Sequence, residues 1–227
     1  MTHARIYLSG IALMATAAAA QADGLTVTPA VVSDYDFRGV SQSATDPALQ
    51  AGVDYTAGAF HVGAWASTID FGRGSDADAE LDLAADYSFA ASGISYNTGI
   101  VYYTYPGEGS LNTPEIWISG NKGWFTGALH YSWDWFNAGN EYYVEGNGNF
   151  PIGKSGYAIT GHIGYNFGEA YKPNEYTDYS VGVTKSFGNF NASLKYVFSD
   201  APENRADVFN TEDRLILGVS TTLPWAK

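Results

Sequence analysis

A histidine and a serine that stand two residues apart, His130 and Ser132, form the strongest catalytic pattern in the sequence. Alternate residues share one face of a strand, so the imidazole could activate the hydroxyl for attack on an ester. The opposite face carries large aromatic side chains, Tyr131 and Trp135 among them, which suit lipid. His130 and Ser132 therefore face an interior, with Asp134 as a candidate to orient the imidazole. We interpret the pair as interior polar residues and keep a lipid esterase as an alternative.

Four acidic residues alternate with other residues between positions 76 and 82. A calcium loop of the EF-hand type needs glycine at its sixth position, where this sequence has Leu81. That loop is excluded, and a period of two instead places all four acids on one face of a strand. We predict an acidic stripe that runs from a loop into an interior; its members are Asp76, Asp78, Glu80 and Asp82.

A third group of charges, Asp34, Asp36 and Arg38, shares one face of a predicted strand and could meet Lys195 across an interior. A structural salt-bridge network is the interpretation we prefer. The sequence has no cysteine, no phosphate-binding loop, no dinucleotide fingerprint and no His-x-x-x-His pair. We therefore predict neither a metal nor a cofactor.

The elements that must position these residues are strands. In residues 79–90 the apolar side chains Leu81, Leu83, Tyr87 and Phe89 alternate with polar ones, and residues 157–168 and 190–200 repeat the pattern. The predicted strands span 25–39, 47–57, 59–70, 79–90, 93–105, 113–121, 124–136, 141–150, 157–168, 177–187, 190–200 and 214–225. About twelve strands, an even number, is typical of bacterial outer-membrane barrels.

Short and long connections alternate along the chain, as in such barrels. The alternative is a soluble β-sandwich, whose apolar face would cover a core. Aromatic residues at strand ends, glycine and small polar residues on the other face, and a final strand that closes on Trp225 favour the barrel. Trp225 is accordingly our candidate for recognition by the barrel assembly machinery.

The first residues and the overall charge limit location and partners. Residues 1–22 have a basic start, an apolar run and an Ala20-Gln21-Ala22 triplet, as in a cleaved signal peptide, which leaves 23–227 as one barrel domain. The formal net charge of −13 argues against a nucleic-acid partner.

The first half of the chain contains a recognisable series of motifs. They are Ser33-Asp34-Tyr35-Asp36-Phe37-Arg38-Gly39-Val40-Ser41-Gln42-Ser43, Pro47-Ala48-Leu49-Gln50-Ala51-Gly52-Val53-Asp54-Tyr55, Trp65-Ala66-Ser67 with Asp70-Phe71-Gly72, Glu80-Leu81-Asp82-Leu83, and Tyr102-Tyr103-Thr104-Tyr105-Pro106-Gly107. In this order they resemble the TorF-type porin family. The resemblance is specific in the first half of the chain and general in the second. It implies a β-barrel of the outer membrane of a Gram-negative bacterium.

The combined prediction is an all-β protein, an antiparallel transmembrane barrel in the outer membrane that is surrounded by lipid. It is expected to pass small solutes, with a weak preference for cations, and to have no enzymatic activity. A structural or adhesive barrel that does not conduct is the main alternative. The residues predicted to line the pore are Asp34, Asp36, Arg38, Asp54, Asp78, Glu80, Asp82, Asp86, His130, Asp134, His162, Asp178 and Lys195.

Overall fold

A computed structural model describes residues 24–203 and 208–225. The predicted signal peptide, residues 1–22, lies outside the described residues. The strands are β1 (Gly24–Val32), β2 (Asp36–Phe37), β3 (Val40–Ser41), β4 (Ala48–Ala57), β5 (Phe60–Thr68), β6 (Ala79–Ala91), β7 (Ile94–Thr104), β8 (Thr113–Lys122), β9 (Phe125–Ser132), β10 (Glu141–Pro151), β11 (Tyr157–Phe167), β12 (Tyr176–Phe187), β13 (Phe190–Ser199) and β14 (Arg214–Thr221). Short 3-10 helices span Gly109–Leu111 and Glu169–Tyr171. In the described part of the chain, no helix has the length and hydrophobicity needed to cross a membrane.

Twelve of these strands form one closed antiparallel barrel, as the sequence predicts. Each strand from β4 to β13 pairs with the next one along the chain. Strand β1 pairs with both β4 and β14 and so closes the ring. The closing register aligns Ala30 with Ser220 and Val32 with Gly218. Closure satisfies the backbone groups that an open sheet edge would leave unpaired.

Side chains alternate between the two surfaces of the wall, as the period of two predicts. Along β11 the apolar Ile159, Ile163 and Tyr165 are exposed on the outside, whereas Thr160 and His162 point inward and are partly buried. The same parity holds in the other strands, so the outer surface is apolar and the inner surface is mostly polar. Such a wall suits lipid outside and water inside.

The two ends of the barrel differ in their connections. At one end, which we call the short-turn end, the connections are 58–59, 92–93, 123–124, 152–156 and 188–189. At the other, the long-loop end, they are 33–47, 69–78, 105–112, 133–140, 168–175 and 200–213.

The first long connection corrects the sequence prediction. Strand β1 ends at Val32 rather than continuing to residue 39, and residues 33–46, which we call the inner hairpin, fold into the barrel around the β2–β3 pair. At its tip Arg38 and Gly39 have positive φ values of 48° and 81°. A Cβ atom on Gly39 would lie 2.8 Å from the Cβ of Asp178, so the tip approaches the wall more closely than any larger residue allows.

Buried aromatic side chains surround the inner hairpin. Tyr35 and Phe37 pack with Tyr103, Tyr105 and other rings in a cluster at the long-loop end. Trp135 belongs to this cluster and is 2 % exposed. The prediction that Trp135 faces lipid was wrong, because β9 ends at Ser132 and the loop that follows turns inward.

Candidate functional site in the lumen

The centre of the lumen at the long-loop end is occupied by the Arg38 side chain. Its guanidinium donates to Glu115 Oε2 at 2.7 Å and to Glu141 Oε1, and both carboxylates are buried. The Arg38 Cζ atom also lies 4.1 Å from the centre of the Tyr143 ring and 5.2 Å from that of Trp135. Burial alone lowers the pKa of Arg38, but the two negative charges outweigh that effect and hold the pKa above its ordinary value. The tip of the hairpin is thus held by a charged group in a buried acidic and aromatic setting.

A second set of ion pairs holds the base of the inner hairpin. Arg214, the first residue of β14, donates through Nε to Asp34 at 2.7 Å and through Nη2 to Asp36 at 2.5 Å. Ser41 and Lys195 add further contacts, at 2.6 Å to Asp34 and 3.3 Å to Asp36 respectively. Arg38 at the tip of the hairpin binds β8 and β10, whereas Arg214 of β14 binds its base. Because these strands lie on different sides of the ring, the hairpin crosses the lumen rather than lining one wall.

A chain of alternating acids and histidines runs along the wall from β8 to β12. His130 lies between Glu115 and Glu145, with nitrogen–oxygen distances of 2.8 and 3.2 Å. His162 lies between Glu145 and Asp178, at 3.5 and 2.8 Å. Each imidazole therefore has a carboxylate on both sides, an arrangement that fixes the orientation of the ring.

This geometry does not assemble an esterase. Both ring nitrogens of His130 contact carboxylates, and the Ser132 hydroxyl accepts a hydrogen bond from the backbone N–H of Asp134 at 3.3 Å. An imidazole that activates a serine needs one nitrogen directed at the hydroxyl.

Two acids on β6 lie beneath the base of the hairpin without a basic partner among the described residues. Glu80 accepts a hydrogen bond from the Tyr105 hydroxyl at 3.1 Å, and both oxygens of Asp82 lack a hydrogen-bond partner. Burial raises the pKa of the Tyr35 and Tyr105 hydroxyls, and the charges of Glu80 and Asp82 raise it further. Buried carboxyl groups without a basic partner among the described residues are thus concentrated on this side of the lumen.

Towards the short-turn end the lumen is less crowded and more polar. His61 bridges Asp54 at 3.0 Å and Asp86 at 2.6 Å, and Asn97 donates to Asp86 at 2.6 Å. These side chains are partly exposed, and small polar residues such as Thr160 share the inner surface. The lumen therefore has a polar half at the short turns and a filled half at the long loops.

Most of the sequence-predicted set lies inside the barrel, and two members do not. Asp78 is exposed in the long loop that ends where β6 begins at Ala79. Asp134, which the sequence prediction places in a strand over 124–136, is exposed in the long loop that follows β9, because β9 ends at Ser132. Three others reach the lumen from the inner hairpin, not from β1. These are Asp34, Asp36 and Arg38, and the remaining eight, which are Asp54, Glu80, Asp82, Asp86, His130, His162, Asp178 and Lys195, project inward from barrel strands.

Sequence reasoning missed the residues that hold the hairpin. Three of them lie just after long connections, where period-two alternation gives the weakest signal. Glu141 and Arg214 are the first residues of β10 and β14, and Glu115 is the third residue of β8. Glu145 and His61 were also missed, although both sit at inward parity on strands that the sequence predicts. Parity alone could have identified these two.

A closed ring of twelve antiparallel strands with an apolar exterior and a polar, charged lumen is the architecture of a transmembrane β-barrel. Over residues 16–222 the chain matches the family described as "Bacterial protein of unknown function (Gcw_chp)", and it belongs to that family. A comparison with curated protein sequences finds no significant match.

Among solved structures the chain is similar to the KdgM porin. The likeness covers 86 % of this chain and 98 % of that one, with a TM-score of 0.58 and 14 % identity. A KdgM porin in complex with disordered oligogalacturonate gives a TM-score of 0.57 at 13 % identity, over 87 % of this chain and 98 % of that one. At this level of identity the similarity establishes the fold.

Proposed function

We propose that the protein is a passive outer-membrane channel for small solutes, with a preference for cations, and that the inner hairpin forms its narrow section. The observation that carries the proposal is the acidic lining of the lumen. Carboxyl side chains face inward from β4, β6, β8, β10 and β12 and outnumber the arginine and lysine side chains there. A narrow passage with low-dielectric walls concentrates the field of such charges and enriches cations. The porin-like fold and the resemblance to TorF-type porins support a channel.

The proposed orientation places the long loops outside the cell and the short turns in the periplasm, as is usual for barrels of this class. Solutes would enter the polar half freely from the periplasm, and passage to the outside would require the hairpin to move aside. The polar half supplies the test residues for selectivity, because Asp54 and Asp86 are partly exposed there.

The zero-current potential across a planar bilayer with a KCl gradient tests the preference. Wild type is expected to give a cation-selective potential that falls at high salt, since screening shortens the range of fixed charges. Asp54→Asn with Asp86→Asn should move that potential towards zero. Asp78→Asn, which neutralises an exposed loop acid, should change it less. An anion-selective wild type would overturn the proposal.

A barrel that does not conduct is the second candidate, and the hairpin favours it because a segment that crosses the lumen restricts passage. The discriminating variant replaces residues 36–41 by a short glycine–serine link. A conductance that appears or rises in this variant supports a channel narrowed by the hairpin. If neither the wild type nor this variant conducts, and both barrels are shown to be folded, a structural or adhesive role is supported.

A further inference from the structure

Two carboxylates and two aromatic rings surround the guanidinium of Arg38. Glu115 and Glu141 supply carboxylates, and Trp135 and Tyr143 supply aromatic faces; we call these four residues the guanidinium box. All four are buried, with exposed fractions from 0 to 4 %, and the Arg38 Cζ lies within 5.2 Å of both ring centres. Two carboxylates with two rings are the groups that recognise a guanidinium, which pairs in its plane and stacks on its faces.

The tethered side chain does not satisfy the box completely. Arg38 Nε has no hydrogen-bond partner, and neither does the second carboxylate oxygen of Glu141, Oε2. A buried donor and a buried acceptor thus lie unpaired on two side chains that are already bonded to each other. Because Arg38 is attached to a hairpin that Arg214 holds elsewhere, it cannot turn to pair them, whereas a free guanidinium could.

We propose that the guanidinium box binds small guanidinium-bearing solutes, and that Arg38 occupies the box as an internal substitute for such a solute. The inference rests on the proposed channel function, since it names the class of solute that the channel recognises. A solute in the box competes with Arg38 for Glu115 and Glu141, so binding releases the tip of the inner hairpin. Recognition and opening are thereby coupled through one set of contacts.

The planar shape of the ligand decides between cations. A compact ammonium offers a point charge and three donors, whereas a guanidinium matches two carboxylates and two ring faces at once. The contact of Glu115 with Tyr103 at 3.0 Å and with His130 at 2.8 Å keeps that carboxylate in place when Arg38 leaves. Glu115 therefore stays positioned in the box without the internal occupant.

The test measures binding of labelled n-propylguanidinium, which copies the end of an arginine side chain, by equilibrium dialysis against the refolded barrel in detergent. Arg38→Ala should bind the probe at least about tenfold more tightly than wild type, because the competitor is gone. Adding Glu141→Gln to Arg38→Ala should weaken binding by about tenfold or more. Neutral n-propylurea, of the same shape, should bind none of these proteins measurably.

Arg73→Ala is the matched control, since Arg73 is exposed on the loop after β5, and it should bind the probe as wild type does. Arg38→Met, which preserves side-chain volume, provides a second empty box if Arg38→Ala folds poorly. A gel shift between unheated and boiled samples verifies each barrel. Equal affinity in wild type and both Arg38 variants, or no effect of Glu141→Gln, would overturn the inference.

Bilayer recordings separate this inference from the channel itself. Block of Arg38→Ala currents by millimolar n-propylguanidinium supports both. Steady currents with no probe binding would support the channel function and contradict the guanidinium site. Probe binding without currents in any variant would contradict the channel function and support a guanidinium site in a closed barrel.

Discussion

Replacing Arg214 by methionine should release the base of the inner hairpin while the barrel stays closed. The side chains of Arg214, Asp34 and Asp36 are only 6 to 8 % exposed, and two of the four guanidinium hydrogen bonds go to those carboxylates. Removing one partner of such a buried network costs about 3–5 kcal/mol, because the remaining charges lose their compensation. Lys195→Met is the matched control, since Lys195 is 33 % exposed and makes one 3.3 Å contact with Asp36. A single long contact with one partly exposed partner contributes about 1 kcal/mol or less.

Hydrogen exchange followed by mass spectrometry measures these differences peptide by peptide. If exchange in residues 33–46 proceeds through undocking, Arg214→Met should accelerate it by about 150- to 5,000-fold, and Lys195→Met by about fivefold or less. The peptide that contains β11 should exchange at the wild-type rate in both variants. Equal acceleration in the two variants would refute the reasoning, as would acceleration spread over every strand.

Three further predictions concern the wall and its assembly. Unheated protein should migrate differently from boiled protein on an SDS gel, because a closed barrel resists the detergent until heated, and identical migration would contradict closure. Gly164→Ala would drive a methyl into the Tyr143 hydroxyl and should lower the thermal stability by about 1–3 kcal/mol. Gly161→Ala, whose methyl would meet open space, should be neutral by the same melting assay. Trp225→Ala should reduce the assembled protein recovered from outer membranes, whereas Trp124→Ala, at an exposed turn, should not; equal recovery would remove Trp225 as an assembly signal.

The wall of the barrel was predictable because one local rule generates it. Alternation in segments such as 157–168 gave the strand count, the parity and the inward direction of His130 and His162. Membership of the TorF-type porins stays a prediction, as do the signal peptide and the role of Trp225.

The inner hairpin was not predictable from the same rule. The alternation of β1 continues without interruption through Asp34, Tyr35, Asp36 and Phe37. The period of two therefore does not show where the strand ends and the chain turns inward. The partners that draw it inward lie far along the sequence; Arg38 bonds to a residue 103 positions away. Gly39 was the available local signal, since glycine within a strand pattern marks a turn or a close approach. Gly164 gives the same signal in β11, where it accommodates the ring of Tyr143.

The Arg214–Asp34 pair imposes an order on assembly. The two residues are 180 positions apart, near opposite ends of the described chain, and Arg214 begins the strand that closes the ring. Until β14 is in place, Asp34 and Asp36 lack their arginine partner, and Lys195 of β13 supplies the charged contact at the base of the hairpin. The arginine contacts at the base therefore form only when the strand that closes the ring is present. A chain that stalls before β14 would present an open sheet edge and a hairpin without its arginine anchor together, two features that distinguish an unfinished barrel from a finished one.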